Sequence, residues 1–205
     1  MYSPAYNQIE NKPEILAFLR AHNFPILVTG TGGVLHASHL PVTVHETGAQ
    51  IVIDMHMAKS NPQWKEFLDD EVMVIFTGPH AYVSPRWYAD QERVPTWNYA
   101  AVHACGIAEI VSGRQEKHLS QRRLIESLDP EWLPKFDALR PAYVEQMLEG
   151  IVNFSIVVSR IETRWKLSQN RGREEMALIA AQLDQSADPV ERALAALTRQ
   201  HMVDK

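Results

Sequence analysis

Val72-Met73-Val74-Ile75-Phe76 is an unbroken apolar run, β-branched at three of its five positions. A run this short and this rich in β-branched side chains predicts a central strand. Gly78-Pro79 punctuates it. Upstream, residues 24–29 and 34–40 read as strands joined by the turn Thr29-Gly30-Thr31-Gly32-Gly33, and residues 50–56 as another strand. Downstream, residues 81–84 and 96–103 have strand character around an excursion from 85 to 94. Residues 106–111 extend the sheet, and 151–161 supply a further strand. Turns, not long helices, separate most of these strands. That excludes a doubly wound sheet and predicts a mainly β fold with peripheral α: an antiparallel sheet closed into a barrel.

The helices lie outside that pattern. Residues 13–20 form an amphipathic stretch that Asn11 can cap, with Glu14 three residues on. Residues 62–68 and 141–148 suit further helices. Residues 174–183 are helical by pattern, with Met176, Ile179, Ala180 and Leu183 on one side. Ser186-Ala187-Asp188-Pro189 then interrupts. Asp188 can cap a last helix, Pro189 takes its first position, and Ala193, Leu194 and Leu197 give it a weak apolar stripe. The expected organisation is one domain over residues 1–183 and a helical extension over 184–205. That extension can pack on the barrel, cross to a partner subunit or stay mobile.

Composition narrows the function classes. Hydrophobic residues make up 45% and charged residues 22% of the 205, an ordinary balance for a globular protein. No apolar run approaches the ~20 residues of a membrane-spanning helix. The start, Met1-Tyr2-Ser3-Pro4, lacks the basic and apolar regions of a secretory signal. Cys105 is the only cysteine, so no internal disulfide forms and a cytoplasmic home is expected. The formal net charge of −5 gives no global support to phosphate-backbone binding. Arg114, Lys117, Arg122 and Arg123 form the best local basic cluster, and they equally read as a solvated helix face.

Candidate chemistry concentrates in a few segments. Gly30-x-Gly32-Gly33 lacks the spacing and the following helix of a dinucleotide loop, and reads as a hairpin turn. His56-x-x-Lys59-Ser60-Asn61 follows a strand, so its side chains gather at one end of the sheet. There Lys59 can meet a phosphate, with Ser60 and Asn61 donating hydrogen bonds; the alternative is a loop cap and a surface lysine. His36, His39, His56, His80 and His103 raise a metal site, but none falls in a diagnostic zinc spacing. Cys105 shares a strand face with His103, yet a buried, inert thiol is the simpler reading. Trp87-Tyr88 and Trp97-Asn98-Tyr99 suit either a flat ligand or a barrel core and interface. Trp165-Lys166-Leu167-Ser168-Gln169-Asn170 poses the same choice. No general acid or base stands out, which leaves open whether the protein is an enzyme.

An ordered set of segments carries a family resemblance. It comprises Met1-Tyr-Ser-Pro4, Ala37-Ser-His-Leu-Pro41, His56-Met-Ala-Lys-Ser-Asn-Pro62 and Phe76-Thr-Gly-Pro-His-Ala-Tyr-Val-Ser-Pro85. It continues through Trp87-Tyr88, Val94-Pro-Thr-Trp-Asn-Tyr99, Ala101-Val-His103, Gly150-Ile-Val152 and Trp165-Lys-Leu-Ser-Gln-Asn-Arg171. Together these resemble the PaiB-type FMN-binding transcriptional regulators, from about residue 1 to residue 183. The resemblance implies a split β-barrel, a homodimer, and FMN in a cleft between subunits. It also implies phosphate contact by Lys59 and Ser60, with Ser38, His39, His56 and Asn61 in neighbouring cofactor segments. Trp97, Asn98 and Tyr99 would shape the pocket, and Lys166 and Gln169 would enter from the other subunit. Negative transcriptional regulation is the implied role, though charge and motif give direct DNA binding no support. The alternatives are an FMN-dependent oxidoreductase or flavin reductase and, below these, a haem-binding or degradation-related protein.

Overall fold

The computed structural model describes residues 1–67, 71–88 and 92–202. The parts of the predicted excursion and of the 62–68 helix that fall on 68–70 and 89–91 lie outside the described residues, as do positions 203–205 of the extension. In chain order the elements are α1 (Lys12–Ala21), β1 (Ile26–Thr31), β2 (Val34–His39), β3 (Val42–Thr47), β4 (Gln50–Ala58), β5 (Val72–Val83) and β6 (Thr96–Val111). There follow α2 (Arg114–Leu128), α3 (Leu133–Asp137), α4 (Pro141–Glu149), β7 (Ile151–Lys166), α5 (Arg173–Asp184) and α6 (Pro189–Gln200). The class is the predicted one, mainly β with helices. Two compact units emerge: one of Leu16–Phe76 and His103–Ile161, the other of Met1–Ile15, Thr77–Val102 and Glu162–Lys205.

The first unit holds the sheet, in the order β2-β1-β5-β6-β7-β4-β3. The β1–β2, β1–β5, β3–β4 and β4–β7 pairs are antiparallel. β5 is internal, and Val72, Val74 and Phe76 are buried as its apolar run requires. The β1–β2 hairpin turns on Gly32 (φ 62°) and Gly33 (φ 84°), between the paired residues Thr31 and Val34. Two successive left-handed residues match the right-handed twist of the strands, and glycine reaches that region without steric penalty. Gly30 and Thr31, expected in the turn, belong to β1. Phe154, Ile156, Leu27 and Ile53 are fully buried, and the Phe67 ring lies 4.6 Å from that of Phe154.

Several boundaries differ from the sequence expectation. β5 runs through Gly78-Pro79, and β6 is one strand where two segments were expected. β3 was not anticipated; its Val42 and Val44 turn inward while Thr43 and His45 are half-exposed. The helices α2, α3 and α4 stand between β6 and β7. On α2 the basic cluster is largely paired with carboxylates: Arg114 with Glu145 at 3.0 Å, Arg122 with Asp137 at 3.1 Å and Arg123 with Asp54 at 2.6 Å.

The second unit carries the remaining lengths of β5, β6 and β7 with α5 and α6. Met176, Ile179, Ala180 and Leu183 of α5 are buried, as their spacing predicts. Asp188 caps α6, its Oδ1 accepting from the Val190 N–H at 2.8 Å, with Pro189 at the first position. Helix α6 buries Leu194, Ala195 and Thr198 and packs against α5. A His201–Glu14 contact at 2.6 Å ties its end to the start of α1. Asn11 caps α1, its Oδ1 accepting from the Glu14 N–H at 3.0 Å.

Candidate functional site

The turn that leaves β4 is held from several sides. Lys59 N–H donates to the Gly150 carbonyl at 2.9 Å, and the Trp64 indole N–H donates to the Lys59 carbonyl at 3.1 Å. Asn61 Nδ2 donates to Ser38 Oγ at 3.0 Å, which ties the turn to β2. Asn61 Oδ1 accepts from the Gln63 N–H at 3.0 Å and caps the short turn Pro62–Glu66. The buried Gln63 amide then donates to the carbonyls of Leu27 and His36, at 3.3 and 3.2 Å. These bonds use main chain and amides; the side chains of Lys59 and Ser60 remain exposed. Among the described residues no carboxylate pairs with Lys59. An ammonium and a hydroxyl held side by side at a sheet end form a donor set for a phosphate.

His56 lies two residues upstream of Ala58, half-buried and registered opposite Asn153 on β7. Burial lowers its pKa, and it lowers that of His22 as well. Each ring stays neutral in the folded protein where the unfolded chain would take up a proton. Their contribution to stability is therefore fully present above the unfolded value of about 6.5 and is lost as pH falls below it. The melting temperature should drop between about pH 7.5 and about pH 5.5, and His56→Gln should reduce the drop; an identical drop in the variant would acquit His56. His39 is exposed, its ring 5.9 Å from that of Phe24. His36 instead pairs with Glu66 at 2.5 Å.

The other aromatic and amide candidates lie in the second unit. Trp97 is 50% exposed, and its ring meets His80 at 5.8 Å and Tyr82 at 6.3 Å. Asn98 is fully buried, with its Nδ2 donating to Ser168 Oγ at 2.9 Å. Ser168 sits at φ 67°, a left-handed conformation that costs a non-glycine residue about 1 kcal/mol. The bond from Asn98 helps to fix it there. Gln169 is also turned inward: its Oε1 accepts from the Leu167 N–H at 2.8 Å and its Nε2 donates to the Trp165 carbonyl at 2.5 Å. Lys166 Nζ donates to Thr96 Oγ1 and, at 2.7 Å, to the Trp97 carbonyl. The Tyr99 ring lies 5.5 Å from the Arg164 guanidinium.

The structure thus brings Ser38, Lys59, Ser60 and Asn61 together around one turn, with His56 on the strand leading into it and His39 adjoining Ser38 in β2. It places Trp97, Asn98, Tyr99, Lys166 and Gln169 in the second unit. Sequence reading missed Gln63 and Trp64, which lock the turn, and Arg164. The signal for Arg164 was its spacing from Lys166: residues two apart on a strand share a face.

The fold defines a class, the split barrels. The chain aligns with a flavocytochrome from Azotobacter vinelandii at a TM-score of 0.61 and 17% identity, over 78% of this chain and 69% of that one. It aligns with an FAD and haem binding protein from Mycobacterium smegmatis at 0.60 and 14%, over 78% and 73%. At these identities the likeness establishes the fold. Residues 1–160 match the family model described as "Putative FMN-binding domain", and the chain belongs to that family. The protease synthase and sporulation protein PAI 2 of Bacillus subtilis is 36% identical over 201 residues, 96% of each chain. FMN is the cofactor that family membership assigns, and the exposed Lys59–Ser60 donor pair fits its phosphate. No helix among the described residues is long and apolar enough to cross a membrane.

Proposed function

We propose that this protein is a cytoplasmic, homodimeric, FMN-binding negative transcriptional regulator that grips the FMN phosphate with Lys59 and Ser60. The observation that carries the reading is the braced turn after β4, which leaves those two donors exposed while Asn61 and Ser38 hold it. His56 and His39 border the same strand ends. Trp97 offers its exposed ring to the flat ring system, and Tyr99 lies on the same strand. Lys166 supports this face by holding the Trp97 carbonyl, while Asn98 and Gln169 hold the loop behind it. Bound flavin supplies one- and two-electron redox chemistry, so it can act as a redox sensor as well as a structural ligand.

The regulatory part is supported by the 36% identical sporulation protein. The paired arginines of α2 make that helix a poor phosphate-backbone ligand, so DNA contact, if direct, uses another surface. Titration of the apo-protein with FMN, riboflavin and haem, followed by fluorescence and absorbance, tests the cofactor reading. FMN should saturate at one equivalent per subunit and bind at least about tenfold more tightly than riboflavin, because only FMN carries the phosphate. Equal affinities, or no FMN binding by a folded dimer, would overturn the phosphate grip.

A further inference from the structure

Three cations converge in the second unit around a cavity of about 160 Å³. Arg164, Lys166 and Arg171 line it with Asn7, Thr96 and Ser168, and no carboxylate is among its described lining residues. Among the described residues the acidic contact of these cations is Glu175, 3.9 Å from Arg171 and shared with Arg93 at 3.7 Å. Arg164 and Lys166 donate to neutral oxygens, Arg164 Nη1 to the Tyr2 carbonyl at 2.5 Å and Lys166 Nζ to the Trp97 carbonyl at 2.7 Å. Their charges are therefore not cancelled. The pKa of Lys166 is lowered by burial, and by Arg164 and Arg171 beside it, as a cation cluster lacking its counter-ion requires.

A second observation points to a ligand. Asn7 is 2% exposed and lines the cavity, and its Oδ1 has no hydrogen-bond partner among the described residues. The Arg164 Nε is likewise buried without a partner. Buried polar atoms are nearly always satisfied, so an orphan acceptor and an orphan donor on two residues that line one small cavity call for a group that offers both. An oxyanion with a hydroxyl offers both: its oxygens accept from the guanidinium and its O–H donates to the amide oxygen.

We propose that this cavity is a binding site for a small hydroxylated oxyanion, a hydrogen phosphate or a hydroxycarboxylate, distinct from the Lys59–Ser60 phosphate grip. Its volume is below the ~300–1,000 Å³ of drug-sized ligand sites, so it takes the small anion and not a flavin ring. Such a ligand would link Asn7 near the start of the chain to the end of β7 and the turn Gln169–Arg171.

The test uses the FMN-saturated protein at constant ionic strength in chloride. Inorganic phosphate is titrated while its phosphorus NMR line width and the protein's melting temperature are followed; glycolate is titrated in parallel by melting temperature. Saturable binding of either probe with a raised melting temperature is expected, and the stronger probe assigns the class. Arg171→Gln should weaken binding about tenfold or more. Asn7→Asp, nearly isosteric, should abolish it by placing a carboxylate among the cations, and should raise the melting temperature without ligand. FMN affinity, read separately from flavin fluorescence, should be unchanged in both. Three results would overturn the proposal: no saturable binding of either probe by folded protein, wild-type binding in both variants, or binding that vanishes as FMN saturates. The last would make the cavity part of the flavin site, and a failure of FMN itself to bind would show in its own fluorescence.

Discussion

Lys59→Ala is expected to weaken FMN binding by about ten- to a hundredfold and to leave the fold intact. The magnitude follows from a hydrogen bond to a charged group, about 1.5–3 kcal/mol, at about 1.4 kcal/mol per factor of ten. The fold survives because the bonds that hold the turn belong to the main chain and to neighbours. The Lys59 N–H still meets Gly150, the Trp64 indole still meets the Lys59 carbonyl, and Asn61 still meets Ser38. The exposed ammonium contributes little to packing. Riboflavin, which lacks the phosphate, should bind wild type and variant alike. Added salt should weaken FMN binding more in the wild type, since screening acts on the charge the variant lacks. Lys59→Arg keeps the charge but not the compact ammonium, and should fall between. An FMN affinity that does not change in fluorescence titration would remove Lys59 from the phosphate role.

That prediction was available from the sequence because a strand followed by Lys-Ser-Asn places donors at a sheet end whatever the strand order. The same local logic located β5, whose five apolar residues have no polar face to show solvent, and both caps, Asn11 and Asp188, whose short side chains reach the next turn's N–H groups. What was not legible is what depends on partners distant in sequence. Gly78-Pro79 reads as a break but lies within β5, where the flanking strand segments hold the chain extended. Asn98 and Gln169 have the chemistry of ligand contacts. Only the position of Ser168, seventy residues from Asn98, shows that the amide of Asn98 is committed inside the fold. Asn7, Arg164 and Arg171 form no motif; their meeting around one cavity is a product of tertiary structure.

Gly106→Ala is expected to be the most damaging single-methyl change in the sheet. A Cβ at this position would sit 2.2 Å from the Val157 carbonyl oxygen and 3.0 Å from Ile156 Cγ2. The first of these is backbone of β7, the strand beside β6, and it cannot rotate away as a side-chain terminus can. Relief requires β6 and β7 to separate locally, which strains their pairing and disturbs the fully buried Ile156 next to it. The expected loss is about 3 kcal/mol, the upper end of the range for forcing volume into a packed interior. Gly30→Ala is the control. Its Cβ meets the Leu35 Cδ2 at 2.9 Å, a mobile side-chain end on an exposed hairpin, and alanine also restricts the unfolded chain. Its effect should stay within about 0.5 kcal/mol. Urea unfolding of the three proteins decides the matter: Gly106→Ala should lower the midpoint with an unchanged slope, and Gly30→Ala should overlay the wild type. Equal midpoints for wild type and Gly106→Ala would mean that β7 does not approach β6 as closely as the Val157 carbonyl requires, and the register of the central strands would have to be redrawn.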